Sequence, residues 1–201
     1  MLLLSSNGLS SPSLLARTGQ LCAGAARACI VTTASVGYKE RDKHVPRLTG
    51  ELESLGLAVE LYDFDEQDPS MLRSYDVVEL NGGNPFYLRQ AIARAGGADV
   101  LAWLAQERLL IGVSAGAIVL QRTMALIAQY SPELNDEVGL ADWSGLGLTS
   151  LEVLAHYERF LGRFGHFEEQ AKAYETAHGC CVLRLNDGQG VLVGPDGWEA
   201  I

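Results

Sequence analysis

Apolar residues gather along this chain in short runs of strand length, separated by longer stretches in which they recur at helical spacing. The runs are Leu2-Leu3-Leu4, Ala28-Cys29-Ile30-Val31-Thr32, Leu57-Ala58-Val59-Glu60-Leu61, Val77-Val78-Glu79-Leu80 and Leu109-Leu110-Ile111-Gly112-Val113. Between the second and third, Val45, Leu48, Leu52 and Leu55 line one helical face until Gly56 stops the pattern, and Ala91 to Arg108 carries a further helix or a pair broken at Gly96-Gly97. Nearly continuous apolar strands alternating with such helices predict βαβ units, hence an α/β fold with a mostly parallel sheet covered on both faces.

Past Val113 another helix is expected, and then the pattern weakens. Gln129 to Thr149 is polar and irregular, with Pro132, Gly139, Gly145 and Gly147, and reads as a mobile loop. A helix follows around Glu168 to Ala177. Cys181 to Leu185, then Asn186-Asp187-Gly188, then Gly190 to Val193 predict a C-terminal hairpin with a tight turn.

With 201 residues and 48% apolar composition the chain can bury a sizeable core, and no repeat, low-complexity tract or linker divides it. Residues 1–201 are therefore read as one domain. Met1 to Ser5 opens on an apolar run, but no basic stretch precedes it and Ser5-Ser6-Asn7-Gly8 ends it too soon for a signal or membrane helix; it reads as a first strand. Cys22, Cys29, Cys180 and Cys181 form no CxxC pair and are expected to be reduced core thiols of a cytoplasmic protein. Together with His44, His156, His166 and His178 they offer no metal-ligand spacing, so no metal or organic cofactor is expected. A formal charge of −10, from 15 Lys and Arg against 25 Asp and Glu, speaks against nucleic acid or an anionic membrane as partner.

The chemistry concentrates after Leu109. Gly112-Val113-Ser114-Ala115-Gly116 has the G-x-S-x-G spacing between an apolar strand and a helix, the signature of a nucleophile elbow. The flanking glycines let strand and helix meet closely while the serine sits at the apex, and the Ala115 amide, emerging from the first helical turn, is a natural oxyanion donor. A second signal follows the preceding strand, in Asn81-Gly82-Gly83-Asn84-Pro85. In an open α/β sheet the carboxyl ends of neighbouring strands share one crevice, so the Gly83 amide, with Gly82 as the alternative, is a candidate second oxyanion donor.

These residues resemble the peptidase E family of serine peptidases, the alpha-aspartyl dipeptidases, with cyanophycinases as more distant relatives. The likeness is carried by the opening strand followed by Ser6-Asn7, the Gly82-Gly83-Asn84 loop, the Ser114-Ala115-Gly116-Ala117 elbow and the late His156-Tyr157 pair, in the family's order across nearly the whole chain. The resemblance implies a three-layer sandwich akin to class I glutamine amidotransferases, with serine replacing their cysteine. It makes Ser114 the nucleophile and His156 the general base. The acid falls in Leu185-Asn186-Asp187-Gly188, where the family often has glutamate and this chain has Asp187; triads use either acid. Glu158, Asp142 and Glu175 are the alternative acids and His166 the alternative base, while His178 reads as a helix C-cap and His44 as solvated.

The implied activity is an exopeptidase acting on short peptides through an acyl-enzyme, a dipeptidase preferring N-terminal aspartate, and the implied assembly is a homodimer. Such a substrate asks for a cation. Asn84 and Arg122 are the substrate-binding candidates, with Lys39, Arg159 and Arg163 as further cations, and the make-up of the 129–149 loop leaves a broader specificity open. An ordinary α/β-hydrolase esterase is the competing enzyme, although that fold ends with its histidine whereas the order here is Ser114, His156, Asp187. A binding protein on the same sheet with an inert site is the non-enzymatic reading.

Overall fold

The computed structural model describes residues 1–201, and its elements in order are β1 (Leu2–Ser5), α1 (Pro12–Leu21), β2 (Arg27–Val31), α2 (Val45–Glu53), β3 (Ala58–Tyr62), β4 (Val77–Leu80), α3 (Pro85–Ala95), α4 (Ala98–Glu107), β5 (Leu109–Val113), α5 (Ala115–Leu120), α6 (Ala125–Tyr130), β6 (Glu152–Leu154), α7 (Tyr157–Leu161), α8 (Phe167–His178), β7 (Val182–Arg184), β8 (Gly190–Gly194) and β9 (Gly197–Ala200). Seven strands form one sheet in the order β3-β2-β4-β5-β1-β8-β9. From β3 to β1 every neighbour is parallel, and β8 and β9 add antiparallel at the end. The fold is thus the expected α/β sandwich. Every residue of β1, β4 and β5 is buried, as strands covered on both faces require.

Alternation along the strands divides the core in two. Leu2, Leu4, Val78, Leu80 and Leu110 face α3, α4 and α5, whereas Leu3, Ala28, Ile30, Val77 and Ile111 face Leu14 of α1 and Leu48 and Leu52 of α2. A third, smaller cluster joins Leu126 and Tyr130 of α6 to Phe167, Ala171 and Tyr174 of α8. The stretch from Ala91 to Arg108 is indeed two helices, parted where α3 ends at Gly96 in the left-handed conformation (φ 70°). No helix is long and apolar enough to cross a membrane.

Two expectations are corrected. The predicted hairpin of Cys181–Leu185 with Gly190–Val193 does not form: β7 pairs in parallel with β6 in a separate two-stranded sheet, and β8 pairs with β1 and β9. Without β8, β1 would leave the parallel sheet with a bare edge; antiparallel addition satisfies that edge and buries Val191 and Leu192. The hairpin is instead β8 with β9, and Asn186-Asp187-Gly188 becomes a connection that crosses towards β1, where the Ser6 amide donates to the Gln189 carbonyl at 3.1 Å. The loop from Gln129 to Thr149 is also not free. It opens with the end of α6 and a single 3-10 turn, then is tied to α3 and α5 by Asn84 Nδ2 to Leu134 O (2.6 Å), Gln90 Nε2 to Val138 O (3.1 Å), Leu146 N to Val119 O (2.8 Å) and Leu148 N to Leu120 O (3.0 Å).

Of the cysteines, Cys22 and Cys29 are buried thiols, but Cys180 is half-buried and Cys181 exposed, because they lie in the turn that leaves α8 after Gly179.

Candidate active site

Ser114 is the single residue between β5 and α5, and it holds φ 50° and ψ −105°, a conformation L-residues rarely adopt. Such strain costs ~1–3 kcal/mol and persists where surrounding structure over-determines it. Here the Ser114 amide is held by the Ser5 carbonyl at 3.0 Å, and the Ser114 carbonyl accepts from Ile118 at 3.0 Å. The neighbouring glycines are steric requirements: a Cβ on Gly112 would sit 2.7 Å from the Ala117 nitrogen, and one on Gly116 would sit 2.1 Å from the Leu80 carbonyl oxygen. The helix therefore lies directly on β4 and β5, and its first amides point to the space above Ser114.

His156 comes from the turn between β6 and α7, in the left-handed conformation (φ 56°). Its Nε2 lies 3.1 Å from Ser114 Oγ and its Nδ1 lies 2.5 Å from Oδ1 of Asp187. With the carboxylate ionised, Nδ1 carries the proton and Nε2 is left to accept from the serine hydroxyl. The Phe160 ring meets the imidazole edge-on at 5.8 Å. The His156 side chain is 12% exposed and that of Asp187 43%. Burial pushes the imidazole below its ordinary range, and the attraction of Asp187 only partly opposes this, so the site favours the neutral ring. Burial disfavours ionised Asp187 as well, but hydrogen bonds from His156 and Ser6 outweigh it and hold the carboxyl below the usual carboxylate range.

Ser6, at the end of β1, escaped the sequence reading as a site residue. Its hydroxyl donates to Oδ1 of Asp187 at 2.9 Å and accepts the backbone amide of His156 at 2.8 Å, so one side chain fastens both Asp187 and the turn that carries His156. A serine after an apolar strand carries no local signal of this; Ser6-Asn7 stood out only within the resemblance.

The alternatives are engaged elsewhere. Glu158 accepts from Asn186 Nδ2 (2.9 Å), Asp142 caps Ser144 (2.9 Å) and Glu175 is paired with Arg184, which takes its carboxyl down to about 2. His166 is largely exposed and pairs with Glu169 at 3.3 Å. His178 ends α8 against the Tyr174 ring.

Gly83 and Ala115 line the same recess as Ser114, and neither amide has an acceptor within the protein. The Gly82 amide, by contrast, donates to Asn81 Oδ1 at 2.6 Å and is not available. Gly83 (φ 139°) presses so closely on the preceding loop that a Cβ would lie 2.2 Å from the Ala34 oxygen. Asn84 is not free for substrate, contrary to expectation. Its Oδ1 caps α3 by accepting from Phe86 and Tyr87 (3.0 and 3.1 Å), and its Nδ2 is given to Leu134, because a helix N-terminus with unpaired amides claims the nearest short polar side chain.

Two recesses meet at Ser114. One, of about 180 Å³, is walled chiefly by apolar side chains from α5, α6 and β6 and carries a single cation, Arg163. The other, of about 300 Å³, includes His156 and is lined by Lys43, His44, Arg47 and Arg159 with Asp42 as the one acid. Arg122, the cation expected to bind substrate, is exposed and lines neither; its position after α5 turns the side chain to solvent while its carbonyl accepts from Gly145. Lys39 is held away by Asp63 and Asp65. No three His, Cys, Asp or Glu side chains converge as a metal site would need. The arrangement can transfer a proton from the serine to a neutral imidazole, stabilise the resulting imidazolium, and receive an oxyanion on two amides.

Known proteins resemble this chain in sequence and in fold. The uncharacterized peptidase Lmo0363 of Listeria monocytogenes is 37% identical over 112 residues, which cover 53% of this chain and 54% of that protein. The uncharacterized peptidase PM1590 of Pasteurella multocida is 30% identical over 90 residues, covering 44% of this chain and 43% of that one. The match thus spans about half the length of these relatives. A crystal structure from L. monocytogenes EGD-e, provisionally named a peptidase E protein, superposes with a TM-score of 0.76 over 100% of this chain and 96% of that chain at 23% identity, a likeness of fold. A peptidase from an acI-B1 Actinobacterium gives a TM-score of 0.74 at 18% identity, over 100% of this chain and 86% of that one. The family model of Peptidase family S51 matches residues 1–201, and the chain belongs to that family.

Proposed function

We propose that the protein is a serine exopeptidase that hydrolyses short peptides through an acyl-enzyme on Ser114. The observation that carries this reading is the unbroken line from Ser114 Oγ through His156 to Asp187, at 3.1 and 2.5 Å, on a strained elbow beside two unoccupied amides. His156 Nε2 takes the hydroxyl proton as Ser114 Oγ attacks the scissile carbonyl carbon. The carbonyl oxygen becomes an oxyanion held by the Gly83 and Ala115 amides, each donor of this kind being worth ~10²–10³ in rate. Asp187 stabilises the imidazolium. On collapse the C–N bond breaks and the amine leaves with the proton from Nε2. Water then gives its proton to the same nitrogen, adds to the acyl carbon and releases the free acid, restoring the serine.

His156 lines the basic recess, so the leaving amino acid departs on that side. A short peptide ends in a carboxylate there, and Lys43 and Arg159 suit it, Arg47 being already tied to Glu51 and Asn7. This preference for a nearby free C-terminus favours a dipeptidase. The N-terminal aspartate suggested by the family resemblance would require a cation beside the acyl side chain, where the apolar recess supplies Arg163 alone.

Labelling with a fluorophosphonate, followed by peptide mass spectrometry, tests the proposal. Modification of Ser114, its loss in His156→Ala, and release of amino acids from a dipeptide mixture by wild type but not Ser114→Ala are the expected results. An unlabelled serine, or cleavage that survives Ser114→Ala, refutes it. Labelling and ester hydrolysis with no peptide cleaved would move the assignment to an esterase.

A further inference from the structure

The recess on the oxyanion side of Ser114 is chemically unlike the one on the histidine side, and the difference bears on which residue is released from the substrate's N-terminal end. In the tetrahedral adduct the oxygen points to Gly83 and Ala115 and the nitrogen to His156 Nε2. The remaining substituent, the acyl Cα with its side chain, is left to the cavity that Gly83, Ser114 and Ala115 share and that His156 does not enter. Ile118, Met124, Leu126, Ile127, Val153 and Leu154 form its wall. Two of the polar groups among the lining are committed, since Gln121 Oε1 accepts from Val153 at 3.1 Å and Tyr130 Oη donates to the Phe167 carbonyl at 2.9 Å, which leaves Gln121 Nε2 and the Ser131 hydroxyl as neutral polar atoms of the wall.

We propose that this cavity is the acyl side-chain pocket and that it selects a large aliphatic or aromatic residue rather than aspartate; the inference rests on the peptidase reading above. Its size fits, because about 180 Å³ exceeds the ~150 Å³ of an apolar cavity able to take up benzene. Its charge fits too. Arg163 is exposed, with its guanidinium 5.1 Å from the centre of the Phe164 ring, and the exposed Glu133 lines the same cavity, so a substrate carboxylate would shed its water without gaining a dedicated cation. An apolar side chain loses nothing there and is removed from water, and each methylene so buried discriminates ~10–200-fold in kcat/KM.

The test is a dipeptide series X-Gly with X as Leu, Met, Phe, Ala or Asp, run beside fluorophosphonate labelling of Ser114. Leu-, Met- or Phe-Gly should exceed both Ala-Gly and Asp-Gly at least tenfold in kcat/KM. Ile127→Ala, which enlarges the wall contributed by α6, should lower kcat/KM for Leu-Gly more than for Ala-Gly. Ile127→Lys should narrow or reverse the gap between Leu-Gly and Asp-Gly. Ser114 labelled and Asp-Gly preferred, or selectivity indifferent to both Ile127 substitutions in folded protein, overturns the pocket while leaving the peptidase intact. Ser114 unlabelled and no dipeptide cleaved brings down the peptidase reading and the pocket with it.

Discussion

The hydroxyl of Ser6 donates to Oδ1 of Asp187 at 2.9 Å across 181 positions of sequence, while it accepts the His156 amide at 2.8 Å. The residue that follows β1 thereby fixes the distance between Asp187 and His156. Removing that hydroxyl leaves the carboxylate with one fewer donor and the His156 turn untethered. A hydrogen bond to a charged group is worth ~1.5–3 kcal/mol, so Ser6→Ala is expected to lower kcat ~10–100-fold with KM little changed. Steady-state kinetics on a cleaved dipeptide check this, and a kcat within twofold of wild type would make Ser6 a bystander.

Asp187→Asn keeps the shape of the turn that runs from Asn186 to Gln189, since Asn is as good a turn residue as Asp. It presents an amide to Nδ1 and so favours the wrong imidazole tautomer, for which losses of ~10⁴ in kcat are expected. An unchanged melting temperature together with that loss assigns the residue to orientation of the base. Full turnover in the variant would leave it as a turn residue alone.

The pH profile follows from the surroundings of His156. Burial favours the neutral ring and outweighs the attraction of Asp187, so the folded value lies below the ordinary imidazole range. kcat/KM should therefore rise with pH and reach half its plateau below that range. Asp187→Asn removes the influence that holds the value up and should move the residual activity's acid limb lower still. An acid limb above the ordinary range contradicts the account.

Glu79 sits in the middle of β4 with both carboxyl oxygens buried and unpaired, and desolvation raises its value to about 8. A carboxyl whose folded value lies above its unfolded one stabilises the fold below the unfolded value, and that contribution is lost as pH rises towards the folded one. The protein should thus lose stability between about pH 4.5 and 8 on this account. Glu79→Gln, which cannot ionise, is expected to be more stable than wild type at pH 8, by ~2–4 °C in Tm for each kcal/mol gained, and to show no such advantage at pH 4.5. Thermal melts at the two pH values measure it, and equal melting at pH 8 refutes it.

What this chain's sequence determined by itself was whatever rests on local pattern. Period and length of the apolar runs specify buried parallel strands and the helices between them, because each element must hide its own apolar face. The elbow was legible because its requirements are confined to a few neighbours: Gly112 and Gly116 answer to the close approach of α5 to β4 and β5, and Ser114 is placed by the strand and helix on either side. Long-range pairing was a different matter. Cys181–Leu185 reads as half of a hairpin, yet edge satisfaction at β1 outcompeted it and sent β7 to β6, and that rearrangement is what carries Asp187 to His156. The two roles of Ser6, the commitment of Asn84 to a helix cap, the exposure of Arg122 and the apolar wall assembled from α5, α6 and β6 all depend on which surfaces meet in space. Only the tertiary structure decided those, since a side chain's free hydrogen bonds and neighbours are set by packing between segments, and no spacing within a segment records them.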